Sequence, residues 1–170
     1  DGGLFSGDFR GQEHMGQLMT QVAGRAGRGT APGEVVIQTY NSSHPTMQSL
    51  VGEGYVPFAM KLLEERRLGN LPPFTYMALI RAEAVNRLLP EKFLKTIGNE
   101  IQPKKGLLII GPIPSPMEKK GGLFRFQVII ESARRSELQR LLIALMPFIE
   151  NHPDSRKVRW SVDVDPVDFT

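Results

Sequence analysis

The sequence predicts an α/β segment followed by an α+β domain whose elements run β-α-β-β-α-β, and three observations carry that expectation. Apolar residues recur at helical spacing in several stretches, short β-rich runs lie between those stretches, and Leu71-Pro-Pro-Phe74, which cannot continue a helix, separates the two patterns.

The first helix is expected from Glu13 to Gly24, with Met15, Leu18, Met19 and Val22 on one face and Gly27, Gly29 and Pro32 stopping it. Glu34 to Tyr40 follows as the buried strand of an α/β repeat. Ser43 to Leu50 forms a short helix and Pro57 to Leu68 a longer one, with Phe58, Leu62 and Leu63 apolar and Gly69 placed to close it. Leu71 to Phe74 is extended, and the boundary falls there, giving parts 1–74 and 75–170. Tyr76 to Glu83 reads as a strand, and Pro90 to Ile101 as a helix with Phe93, Leu94, Ile97 and Ile101 inward. Leu107 to Ile110 is a strand, and Gly111 to Pro116 is extended and hairpin-prone. Phe124 to Glu131 is a strand, Ser136 to Glu150 a helix that Pro147 should kink or tighten, and Val158 to Val164 a strand. That order is the split βαβ, ferredoxin-like arrangement of four antiparallel strands with two helices on one face.

The chain has 170 residues, is 41% apolar and contains no cysteine, so disulfide frameworks and thiolate metal sites are excluded within it. No apolar run has the length of a membrane-spanning helix, which points to a cytoplasmic protein. It opens at Asp1 in glycine-rich sequence, as expected of a piece cut from a longer protein. The net charge is +3, yet Lys104 to Arg159 holds eleven Lys and Arg against five Asp and Glu, a segment suited to a polyanion or to a solvated surface.

Gln21-Val-Ala-Gly-Arg-Ala-Gly-Arg28 is the most informative stretch. On a helix, Gln21, Arg25 and Arg28 fall within about 60° of one another, about 110° from the apolar face. Gly24 and Gly27 keep bulk away from those arginines, so that a phosphate or a second domain can approach. A guanidinium suits the charge that develops on a transferring phosphoryl group.

This string resembles motif VI of superfamily 2 helicases. The stretches after it resemble the PriA helicase family: Gly33 to Thr39, Glu64-Glu-Arg-Arg67, Leu71-Pro-Pro-Phe74, Gly111-Pro, Lys120-Gly-Gly122, and Asp154 to Trp160 with Asp163-Val-Asp-Pro166. The resemblance implies that residues 1–74 end a RecA-like second helicase lobe. In that lobe Arg25 and Arg28 would be arginine fingers reaching ATP bound mainly elsewhere, with Gln21 and Gly24 in the same network. It implies a parent protein that uses ATP and magnesium, holds zinc, unwinds DNA 3′ to 5′ and restarts stalled forks at the bacterial nucleoid. This stretch contains no G-x-x-x-x-G-K-[ST] loop, acidic metal box or zinc-binding cysteines, so by itself it is expected to bind none of these cofactors and to be inactive. Implied partners are forked and single-stranded DNA, the acidic tail of single-stranded DNA-binding protein, and other primosome proteins. Two other readings stay open: a ferredoxin-like nucleic-acid-binding module without a motor, and a RecG-like helicase.

In the second part, Lys119, Lys120 and Arg125 read as a grip on a phosphate backbone, with Phe124 or Phe126 either stacking on a base or lying in the core. Arg156, Lys157 and Arg159 extend the basic surface, and Trp160 is either core or platform. Ser136 and Gln139 match a capping box, and the family resemblance makes Arg135 and Gln139 the contacts for the acidic tail. Asp163, Asp165 and Asp168 are read as solvent-facing charges rather than metal ligands, and His14, His44 and His152 sit too far apart in sequence for a metal.

Overall fold

A computed structural model describes residues 1–5, 7–26 and 33–169, and the chain divides into two compact units, Asp1–Asn70 and Leu71–Thr170.

The first unit contains helices α1 (Gly11–Ala26), α2 (Pro45–Glu53) and α3 (Tyr55–Leu68). Pro45 starts α2 where a missing N–H costs nothing, and the His44 ring accepts from the Thr46 N–H at 3.3 Å. Gly54, at φ 88°, takes the left-handed turn between α2 and α3, and the Gly69 N–H closes α3 on Glu65. Leu50, Phe58 and Leu62 make the core, with Met19, Tyr55 and Ala59 against it.

Leu18 and Val22, expected inward, are 61% and 50% exposed. Helix α1 packs instead through Gly16, where the buried Phe58 ring fills the room a side chain would need. A Cβ at Gly16 would lie 2.3 Å from Phe58 Cε1. Gly16→Ala is therefore expected to destabilise this unit by about 1–3 kcal/mol, seen as faster amide exchange confined to Asp1–Asn70.

Glu34 to Tyr40 is irregular rather than a strand. Among the described residues of this unit no strand lies beside it, and β propensity without a ladder partner leaves backbone groups unpaired. The Tyr40 N–H turns to the Asp1 carboxylate at 3.1 Å. Leu71 to Phe74 forms a turn rather than an extended run, closed by the Phe74 N–H on the Leu71 carbonyl at 3.0 Å.

The second unit runs β1 (Tyr76–Ala84), α4 (Leu88–Glu100), β2 (Leu107–Lys120), β3 (Leu123–Ser132), α5 (Arg135–Asn151) and β4 (Arg159–Val164). Its four strands form one sheet in the order β2-β3-β1-β4, every pairing antiparallel. One face is a dry core: Ala78, Ile80 and Ala82 of β1 and Phe126, Val128 and Ile130 of β3 belong to one cluster with Phe93, Leu94 and Ile97 of α4 and Leu138, Leu142 and Ile149 of α5. Strand alternation sends Met77, Leu79, Arg81 and Glu83 of β1 and Arg125, Gln127, Ile129 and Glu131 of β3 to the other face.

Strand β2 is far longer than expected. It continues through Gly111, Pro112, Pro114 and Pro116, which an edge strand tolerates because its outer N–H groups have no partner to lose. Its pairing with β3 shifts between Ile110 and Ile113 and again between Pro114 and Lys119. Gly121 and Gly122, at φ 57° and 81°, then make the two-residue turn into β3 that a tight hairpin requires.

Glu131 lies in register with Met77 on one side and Leu108 on the other, and burial holds its carboxyl above the usual carboxylate range. Because the folded pKa is raised, the associated stability is fully present below the ordinary carboxylate value and is lost as pH rises through the raised one. Glu131→Gln is expected to raise the melting temperature at neutral pH and to leave it nearly unchanged in acid, a contrast that thermal unfolding at the two pH values measures.

Candidate nucleic-acid interface

Gln21 and Arg25 lie one turn apart on the exposed last part of α1, and a Cβ at Gly24 would meet nothing within 4 Å. The helix thus presents an open cationic face at its carboxy-terminal end. Arg28 lies outside the described residues.

The hairpin joining β2 and β3 carries Lys119 and Lys120, both exposed. Lys119 pairs with Phe124, and its Nζ sits over that ring, 4.8 Å from its centre. Phe126 is 2% exposed and belongs to the core, so it is no stacking platform; Phe124 is half-buried against the same core. Arg125 separates from the lysines. Strand alternation puts it on the helix-free face, where its side chain is 13% exposed and its Nε lies 3.5 Å from Glu83. Hairpin sequence alone could not show this, because Glu83 lies on another strand and meets Arg125 only through the β1–β3 register.

Glu83 also takes Arg159 of β4 at 3.1 Å, and Arg81 binds Asp163 at 2.7 Å and the Asp168 carbonyl at 2.7 Å. Sequence reasoning missed Arg81 and Glu83. Their one signal was the i, i+2 spacing of Arg81 and Glu83 in a strand, which places both on one face. Arg156 is exposed in the loop before β4, while Lys157 is tied to Asp154 at 2.7 Å, a pairing that holds the Asp154 carboxyl below its ordinary range.

Helix α5 begins at Arg135, with Arg134 rather than Ser136 at the N-cap, two residues earlier than the capping-box pattern expects, and no side chain caps it. The Ser132 hydroxyl holds the turn before the helix by accepting from the Arg134 N–H and donating to the Arg134 carbonyl, and Ser136 falls inside the first turn. Arg135 is 63% exposed, binds Asp165 at 2.8 Å and lies 5.9 Å from the Tyr76 ring centre; Gln139 is half-buried one turn on.

Asp163 and Asp165 face solvent, as expected, and each also pairs with an arginine. Among the described residues no three His, Cys, Asp or Glu side chains converge on a metal position. His152 packs its ring 5.0 Å from Phe93 while its Nδ1 accepts from the Asp154 N–H, a packing role.

Residues 67–167 match the protein family described as "Primosomal protein N C-terminal domain". The chain is 42% identical to the replication restart protein PriA of Haemophilus influenzae, an alignment covering all of this chain and 23% of that relative. Identity to the protein of the same name is 31% in Bacillus subtilis, over 94% of this chain and 20% of the relative. In Synechocystis it is 32%, over 94% and 19%. The chain thus spans between 19% and 23% of the length of these relatives.

Proposed function

We propose, from the premise that this chain belongs to the PriA family through its primosomal protein N C-terminal domain, that it serves an ATP-dependent 3′-to-5′ DNA helicase in replication restart, as the part that touches forked and single-stranded DNA. The observation that carries this reading is the β2–β3 hairpin. Two adjacent lysines stand at the end of a long strand pair, free of carboxylate partners among the described interactions, with a half-buried aromatic ring beneath one of them. Such a projection suits a sugar-phosphate backbone, since lysines there release condensed counterions without reading base identity. Arg156, exposed near the other edge of the sheet, adds a further cation.

In the first unit, Gln21 and Arg25 would contribute with Arg28 to a nucleotide held mainly by another lobe, and the exposed end of α1 supports that role. ATP, when bound there, supplies the free energy for strand separation; Arg25 and Arg28 would provide positive charge and Gln21 a hydrogen-bonding amide. At α5, Arg135 and Gln139 would receive the acidic tail of single-stranded DNA-binding protein. The exposed guanidinium beside the Tyr76 ring supports this, and an incoming carboxylate would take the place of Asp165.

The test is the affinity for labelled forked DNA, measured by anisotropy across a range of salt. Log affinity is expected to fall linearly with log salt, with a slope of about −2 to −4 for the few phosphate contacts this surface offers. Binding that ignores salt, or no binding at all, rules out the DNA-contacting role.

A further inference from the structure

We propose that Asp165 is a built-in competitor at Arg135: the chain's own carboxylate occupies the guanidinium that an acidic peptide needs, and such a peptide binds by displacing it. This rests on the reading of Arg135 as the receiver of an acidic tail, and adds what holds that position closed while no peptide is bound.

Strand register brings the two residues together. Tyr76 opens β1 opposite Ser132, the last residue of β3, and Arg135 follows as the first residue of α5. Val164 ends β4 opposite Ala78, so Asp165 arrives at the same end of the sheet. Its carboxylate lies 2.8 Å from Arg135 Nη2, and the Tyr76 ring centre lies 5.9 Å from the same guanidinium.

The backbone around Asp165 is held on both sides, which separates this pair from an ordinary surface contact. Its N–H donates to the Met77 carbonyl at 2.9 Å, one step beyond the last β1–β4 pairing. Pro166 is buried, and the Arg81 guanidinium donates to the Asp168 carbonyl at 2.7 Å while it also binds Asp163. An exposed ion pair is usually weak because two flexible side chains must be ordered to make it. Here one partner is a short side chain on a fixed backbone, so only Arg135 has to be ordered. Asp165 sits at φ 54°, a conformation that Asp and Asn adopt more readily than most side chains.

The segment that supplies this carboxylate resembles the kind of ligand it would exclude. Asp163, Asp165 and Asp168 follow one another closely, with Phe169 next in the chain. Its occupation of Arg135 acts as a filter. A ligand with one carboxylate exchanges one ion pair for another and loses its own freedom in doing so, which leaves little net affinity. A ligand with several carboxylates and an apolar end brings contacts that Asp165 lacks, and only such a ligand displaces it. Specificity then comes from an internal rival as well as from attraction.

The test is anisotropy of a labelled peptide of aspartates ending in phenylalanine, titrated at low salt with the 170-residue chain. Asp165→Asn is expected to bind the peptide about three- to five-fold more tightly, the range that losing one exposed ion pair allows. Asn accepts the same φ and keeps the N–H that meets Met77, so the variant folds as the parent does. Asp168→Asn removes the same charge from the same segment but leaves the Arg135 pair in place, and should change affinity by less than about two-fold. Arg135→Gln should weaken binding and should erase the gain when combined with Asp165→Asn. No gain from Asp165→Asn, an equal gain from Asp168→Asn, or a gain that persists beside Arg135→Gln overturns the competitor. In those cases Arg135 stays the receiver as long as Arg135→Gln alone weakens binding. If Arg135→Gln binds the peptide as the parent does, or if neither the parent nor Asp165→Asn binds it, the reading of Arg135 fails and the competitor fails with it.

Discussion

Replacing Lys119 and Lys120 together with glutamate is expected to weaken forked-DNA binding at low salt by about a hundred-fold and to flatten the salt dependence by about two contacts. Each lysine is exposed, so the loss arises from charge reversal at the tip of the hairpin rather than from unfolding. The one packing contact removed is Lys119 on the Phe124 ring, worth about 0.5–1 kcal/mol at an exposed site. The turn itself depends on Gly121 and Gly122, which the substitution leaves alone. Anisotropy titration with a parallel thermal melt separates the two effects: affinity falls while the melting temperature hardly moves. An affinity within a factor of about three of the parent would move the DNA contact away from the hairpin.

Gly111→Ala should destabilise the sheet unit by about 3–5 kcal/mol, combining a strained backbone conformation with a steric clash. Gly111 sits at φ 119°, and a Cβ there would lie 2.7 Å from the Gln127 carbonyl oxygen and 3.2 Å from Val128 Cα. Both neighbours are backbone atoms of β3, so no rotamer change relieves the contact. Relief requires moving β2 away from β3 at the point where their pairing shifts after Ile110. Urea unfolding followed by far-ultraviolet circular dichroism reads this as a lower midpoint, and a change below about 1 kcal/mol would mean that β2 gives way freely.

The helix faces of the second unit are legible in the sequence. Phe93, Leu94, Ile97 and Ile101 recur at helical spacing and are buried as that spacing implies. Where residues depend on partners distant in sequence, legibility ends. Arg125 reads as a free cation until Glu83 is placed opposite it by register. Glu34 to Tyr40 has the composition of a strand, but composition does not supply the neighbour that a ladder needs. Gly111, Pro112, Pro114 and Pro116 read as an interruption, and only the position of β2 at the edge makes them part of a strand. Leu18 and Val22 read as part of an inward stripe but are exposed, and the closest approach in α1 occurs at Gly16, where absence of a side chain is the feature that packs. The face of α1 carrying Gln21 and Arg25 needed no partner to be read, since helical periodicity alone sets it.

The prolines of β2 have a consequence for how this sheet meets other proteins. Pro112, Pro114 and Pro116 stand at alternate positions along an edge strand, so the outward row of amide donors is interrupted at each of them. A foreign strand finds no continuous ladder along that stretch of the border. The opposite border is β4, only the six residues Arg159–Val164. A partner that binds by extending the sheet is left with two short margins, residues 107–110 of β2 and β4 beside Arg159, and elsewhere recognition falls to side chains.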